Sequence, residues 1–224
     1  MSTHVLDMIR RGQSAEFAAE VEAHPELAGA RDVQGVSALL WTIYSGQTVM
    51  RDFLRTRVPD LDIFEAAALG DVAILRALLD ADPAAVASFS GDGWTPLHLA
   101  AAFGGPEAVR ALIERGADVH VVSRNPQQNQ ALHAALALSG DLETIRLLVD
   151  AGAEVNARQA GGFAPLHSAA SGGRREAAEL LVARGANPAL RDDQGNSPAH
   201  YARQRGRLEL ADWLDAAARH AARR

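Results

Sequence analysis

The chain has 224 residues, 48% of them apolar, and a formal net charge of −6; it can build an ordered core and does not suit a general nucleic-acid or anionic-membrane binder. There is no cysteine, which excludes disulfides, thiolate metal sites and cysteine nucleophiles. Aromatic residues make up only 5% while alanine abounds, a balance suited to close helix-on-helix stacking. All 22 basic residues are arginine, which reads as GC-rich codon usage rather than as a function. Charge is uneven: residues 198–224 hold six arginines against three acids, and the rest of the chain is acidic. The N-terminus lacks the apolar stretch of a signal peptide and no apolar run approaches ~20 residues, so a soluble cytoplasmic protein without a membrane span is expected.

Taken in order, the chain repeats. Aligned positions fall at Val5, Leu39, Ile63, Leu97, Leu132, Leu166 and Ala199, with spacings of 34, 24, 34, 35, 34 and 33 residues. Each unit reads as two short helices that cannot bury their apolar faces alone. In the first, Leu6–Gly12 forms a helix stopped by glycine, and Ser14–Ala23 a second one ended by His24-Pro25. The second unit, Ser37–Gly46 with Val49, Phe53 and Leu54 behind it, is followed by its neighbour ten residues early. Pro59-Asp60-Leu61-Asp62 therefore connects helix to helix without a turn finger, and Asp62 is placed to cap the next helix. The third unit runs from Asp62 and matches the first at an offset of 58, Gly70 on Gly12, Pro83 on Pro25 and Gly93 on Gly35, as an old duplication would. In the later units Gly116, Gly152 and Gly185 each end a second helix with positive φ. The last unit, from Ser197, has no finger after it and serves as a polar cap, with 219–224 as a frayed tail.

The clearest unit contains Gly93-Trp94-Thr95-Pro96-Leu97-His98-Leu99-Ala100-Ala101, closed by Arg115-Gly116-Ala117-Asp118-Val119. It resembles an ankyrin repeat at almost every position, and Ala164-Pro165-Leu166-His167 and Ser197-Pro198-Ala199-His200 carry variants of the same motif. The resemblance is to small stand-alone bacterial ankyrin-repeat proteins. It implies an all-α solenoid, one continuous stack of about seven right-angled, L-shaped helix-turn-helix units joined by short β-hairpin fingers. Unit limits fall near 3–36, 37–61, 62–94, 95–129, 130–163, 164–196 and 197–218, within a single domain spanning 1–224.

The resemblance also makes the recurring residues structural. Proline opens a helix where its missing N–H costs nothing. Family histidines bond to the turn backbone and to the preceding threonine, which extends to His98 with Thr95 and to His200 with Ser197. His133 follows Gln130 and His167 follows Ala164, so the hydroxyl partner is missing there. Neighbouring units lie ~8–10 Å apart, too far for adjacent histidines to share a zinc ion at ~2.0–2.1 Å. No nucleophile elbow, phosphate loop or dinucleotide fingerprint occurs, and no cofactor is expected.

Function is therefore sought where units differ. Ankyrin proteins typically bind partners with the finger tips and the concave face of the first helices. The first-helix residues just before the closing glycine are Arg11, Ser45 (beside Tyr44), Leu69, Phe103, Leu138, Gly172 and Arg205: polar ends and an apolar middle. Leu138 carries one extra residue between His133 and Gly140. Phe89, Trp94 and Phe163 are finger aromatics, either exposed for binding or bracing the hairpins. The finger Ser123–Gln130 is about two residues longer than the pattern, with Gln128 where glycine is usual. Its Gln127, Gln128 and Asn129 amides read either as a specificity loop or as drift in a tolerant segment. The leading expectation is a monomeric, non-catalytic module binding a protein or peptide, not nucleic acid or membrane. The alternatives are a hydrolase-like or other enzyme on the same scaffold, and electrostatic binding through Arg203, Arg205, Arg207, Arg219, Arg223 and Arg224.

Overall fold

The structure is a computed structural model that describes residues 2–223. Short helices come in pairs: α1 (Ser2–Arg11) with α2 (Ser14–Ala23), α3 (Ala38–Tyr44) with α4 (Thr48–Arg55), and α5 (Ile63–Leu69) with α6 (Val72–Ala81). They continue as α7 (Pro96–Leu99) with α8 (Pro106–Glu114), α9 (Ala131–Ala134) with α10 (Leu142–Asp150), α11 (Pro165–Ser171) with α12 (Arg175–Ala183), and α13 (Pro198–Gln204) with α14 (Leu208–Ala221). The first helices pack on one another in sequence, α1 on α3 through to α11 on α13. Behind them α2 packs on α4, and α6, α8, α10 and α12 follow one another. One apolar cluster runs through the whole stack, from Val5 to Leu214, with Leu39, Leu75, Leu112, Leu132 and Leu181 inaccessible to solvent. Because alanines line the inner helices, backbones approach closely: a Cβ built on Gly104 would sit 2.0 Å from the carbonyl oxygen of Ala67 in α5.

The expected shortened connection is present. α4 ends at Arg55, Leu61 is buried, and Asp62 caps α5 by accepting from Glu65 N at 2.8 Å while the Glu65 carboxylate takes Asp62 N at 2.9 Å. Counting from the cap moves the repeat alignment by one. Phe64, not Ile63, corresponds to Leu97, and Glu65 stands where the later units have histidine. With this finger missing, the turn containing Gln34 closes directly on Gly91 two units away, where an added Cβ would fall 1.6 Å from the Gln34 carbonyl oxygen. The offset of 58 is visible as geometry: Pro25 and Pro83 both open a 3₁₀ turn, and Gly12 and Gly70 both have φ +70°.

In the expected hairpin fingers the described residues hold one isolated antiparallel bridge, Arg31 to Ser37. The fingers are tight turns, such as Ser90 N to Trp94 O at 2.8 Å, linked in a row by Arg124 N to Gly93 O and Ala160 N to Gln127 O. Two expectations need correcting. The segment 219–224 is not simply a frayed tail, since α14 continues to Ala221; Arg224 lies outside the described residues. Finally, the extra residue before Gly140 is not peculiar to that unit. In both α7 and α9 the helix continues into a wider last turn, Ala100–Gly104 and Ala135–Ser139, closed by Gly105 N to Ala100 O at 3.0 Å and Gly140 N to Ala135 O at 2.8 Å. Phe103 and Leu138 therefore occupy the same place in consecutive units, both on a widened turn.

Candidate functional site

The buried histidines organise the floor beneath the fingers. The His98 ring meets Thr95 Oγ1 at 2.7 Å through Nδ1 and the Asn129 carbonyl at 2.9 Å through Nε2. His133 and His167 make the same bridge without a hydroxyl partner. Nδ1 of His133 accepts from Gln130 N and its Nε2 reaches Ala157 O at 3.1 Å; Nδ1 of His167 accepts from Ala164 N and its Nε2 reaches Asn196 O at 3.2 Å. Each ring thus ties its own helix start to the following finger. The motif needs the backbone N–H, which every residue supplies, more than the threonine. His200 departs from expectation in the other direction: its ring is exposed and bonds to neither Ser197 nor a following unit.

Burial pushes all three bridging imidazoles down from their ordinary value, His133 to about 4. An imidazole that stays neutral when folded but protonates near pH 6.5 when unfolded favours unfolding in acid. This stability is complete above the unfolded value and is lost as pH falls toward the folded value. Glu65, raised chiefly by burial, acts in the opposite sense because its folded carboxyl takes up a proton first. The histidines outnumber it, so urea unfolding should show a net loss of stability between pH 7.5 and 5.5, with His133 alone contributing about 1 kcal/mol. Equal or greater stability at pH 5.5 would contradict this account.

Above that floor lies a hollow of about 400 Å³ between first-helix ends and fingers. Tyr44 at the end of α3, with Phe103 and Leu138 on the two widened turns, forms its helix side. Trp94, Asp92, Gln127 and Asn129 enter from the fingers, with Gln159 from the next one. The Tyr44 and Phe103 rings lie 5.6 Å apart, and Trp94 packs edge-on against the His98 ring at 5.7 Å. Leu138 keeps 48% of its surface exposed.

Of the residues singled out from the sequence, Trp94, Phe103, Gln127, Asn129 and Leu138 meet in this hollow. Leu69 lines an adjoining depression toward α4, for which Phe103 is the shared wall. Phe89 and Phe163 do not line the hollow and act as braces. The Arg124 guanidinium stacks 3.8 Å from the Phe89 ring centroid, and Phe163 packs on Tyr201 at 4.8 Å and on His167 at 5.3 Å. Gln128 is exposed, and its φ of +47° bends the turn as glycine would, a conformation that strains a side-chain-bearing residue. Asn129 is not a free finger residue: it is buried, receives the His98 bridge through its carbonyl, and its side-chain amide has no hydrogen-bond partner among the described residues. Sequence reasoning overlooked Asp92 and Gln159. Asp92 reads as a turn former beside Gly93, yet counting back from the helix caps puts it level with Gln127, which gives it away.

The basic cap is less free than its composition indicates, since Arg203 pairs with Asp212 at 3.2 Å and with Asp215 at 2.5 Å; Arg205, Arg207, Arg219 and Arg223 are exposed. Among the described residues no group of three or more His, Asp or Glu side chains could hold a metal ion, and no helix is long and apolar enough to cross a membrane.

Comparison with known proteins gives a consistent architecture. A family model described as ankyrin repeats (3 copies) matches residues 63–159 and again 137–220, well over half of the chain. The probable E3 ubiquitin-protein ligase XBOS31 of Oryza sativa subsp. japonica is 40% identical over 97 residues, 43% of this chain and 21% of that protein. Ankyrin repeat and SAM domain-containing protein 6 of Rattus norvegicus is 33% identical over 107 residues, 46% of this chain and 11% of its own length. The B-cell lymphoma 3 protein homolog of Mus musculus is 39% identical over 82 residues, 37% of this chain and 18% of the other. The matches span about a fifth or less of these relatives, all three of them eukaryotic.

Proposed function

Because the chain belongs to the ankyrin-repeat family, members of which are in general protein-interaction modules, we propose that it is a non-catalytic module seating a protein or peptide partner in the hollow between its first-helix ends and its fingers. One observation carries the reading. Apolar surface from Phe103, Trp94 and Leu138 and the polar residues Asp92, Gln127 and Gln159 converge on one open site, built from the parts of the repeats that do not repeat. Half-exposed aromatic rings rimmed by amides are the composition of a contact hot spot. The depression beside Leu69 extends the same surface toward α4. The proposal treats 1–224 as one stack acting as a cytoplasmic monomer, and its acidic net charge favours a protein over nucleic acid as partner. The buried histidines, an enzyme's natural resource, are committed to backbone bridges, which favours binding over catalysis.

The test compares partners cross-linked to the wild-type chain in its own cell with those held by the double variant Phe103→Glu, Trp94→Ala. Val33→Glu serves as control, because Val33 is fully exposed on a finger outside the hollow. Recovery should fall by at least ~10-fold in the double variant, the equivalent of losing one hot spot of about 1.4 kcal/mol, and stay unchanged in the control. Equal recovery by all three chains would place the site elsewhere.

A further inference from the structure

Resting on that reading, we infer that the hollow receives an arginine side chain of the partner. Its wall is aromatic, from Tyr44, Trp94 and Phe103, and Asp92 is the one charged residue lining it. Asp92 Oδ1 accepts the Ser90 hydroxyl at 2.6 Å. Among the described residues no arginine or histidine comes within ion-pair distance of its carboxylate. The acids around it are engaged: Asp62 pairs with Arg31 at 3.0 Å, and Asp32 accepts the Trp41 indole N–H at 2.9 Å. One further polar group at the hollow is unbonded, the amide oxygen of Asn129, a residue only 6% exposed. The local potential is negative. Burial raises the Tyr44 phenol above its ordinary range; the Asp92 charge and its side-chain hydrogen bond with the phenol, then the Asp62 and Asp32 charges, push it further in the same direction.

This combination selects the occupant. An apolar side chain covering the hollow would desolvate Asp92 without supplying an opposite charge, which opposes binding. A cation answers the carboxylate and is attracted to the ring faces. Between the two cationic side chains, arginine suits the site better. Its planar guanidinium can lie along a ring while its separate N–H groups hold the Asp92 carboxylate in a two-point contact. A lysine ammonium is a compact, strongly hydrated point that cannot stack. A volume of about 400 Å³ is at the small end of ligand sites, which run from about 300 to 1,000 Å³, and suits one long side chain.

The probe is Nα-acetyl-arginine amide, titrated into the full chain while the indole N–H resonance of Trp94 is followed by NMR. The citrulline and lysine amides serve as the neutral isostere and the alternative cation. Arginine amide should shift Trp94 and bind at least ~10-fold more tightly than citrulline amide, and Asp92→Asn should abolish that ratio. Equal binding of citrulline or lysine amide, or no shift of Trp94, overturns the inference without requiring any variant to fold. So does an Asp92→Asn chain that retains the preference. If arginine amide fails while the Phe103→Glu, Trp94→Ala chain loses its partners, the inference falls and the interaction reading stands. If the amide binds as stated while partner recovery is unchanged, the hollow is an arginine site and the interaction reading falls.

Discussion

His98→Ala is expected to destabilise the chain by about 4 kcal/mol and to disturb the hollow together with the fold. The ring is 1% exposed and joins two units. Its loss removes the contact with Thr95 Oγ1 and the bond to the Asn129 carbonyl, each worth about 1 kcal/mol net. It also strips the Thr95 N–H of its weak acceptor and opens a cavity in a close-packed floor, adding about 2 kcal/mol. The Asn129 carbonyl keeps one partner, Ser123 N at 2.8 Å, so the finger should loosen rather than detach. Trp94 leans on the same ring and should become more mobile. Urea unfolding measures the first effect and Trp94 emission the second. A loss below about 1 kcal/mol would show that the bridge is decorative.

The second large effect concerns a residue with no side chain. Gly104 does not have positive φ, so alanine meets no backbone strain there, only a neighbour. The added Cβ would lie 2.0 Å from Ala67 O and 3.3 Å from Gly70 N. Those are backbone atoms of α5 and its cap, which cannot rotate aside as a side chain can. From the other side, a Cβ on Gly70 would meet Gly104 O at 2.3 Å. The two inner helices touch backbone to backbone, and Gly104→Ala must pry them apart at a cost of about 3 kcal/mol. It should also shift Phe103, the preceding residue, and so weaken partner recovery beyond the stability loss. Gly29→Ala is the comparison, because nothing lies within 4 Å of its added Cβ and its φ is not positive. If both glycines tolerate alanine equally in thermal unfolding, the close approach does not constrain the stack.

Much of the architecture was legible because it rests on local chemistry repeated in register. A residue that accepts backbone N–H groups, a proline after it and a glycine at the helix end are readable one unit at a time. Asp62 could be named as a cap from the missing finger alone, and the 58-residue offset anticipated matching turns at Pro25 and Pro83. The site was legible in part by subtraction: Trp94 and Phe103 stood out because they break the repeat, and they do share one hollow. The same reasoning left Phe89 and Phe163 open between binding and bracing, and took Asn129 for a free finger residue. Whether an aromatic at a finger braces or projects depends on what the adjacent unit offers, here Arg124 and Tyr201.

The sequence by itself determined the helix pairs, their order and their caps, since these depend on interactions within about four residues. It also determined that the apolar faces require stacking, since no single unit can bury them. Only the tertiary structure decided the width of the last turn in α7, because Gly104 and Gly105 are both able to close a helix and the later one does so. That choice aligned Phe103 with Leu138. It also took the stack to bring Asp92 and Asn129 to the same hollow as Tyr44, residues 48 and 85 positions apart from it in the chain. A carboxylate written as a turn residue became an unpaired charge facing aromatic rings. Pairing and burial are properties of neighbours in space, which no unit read alone contains.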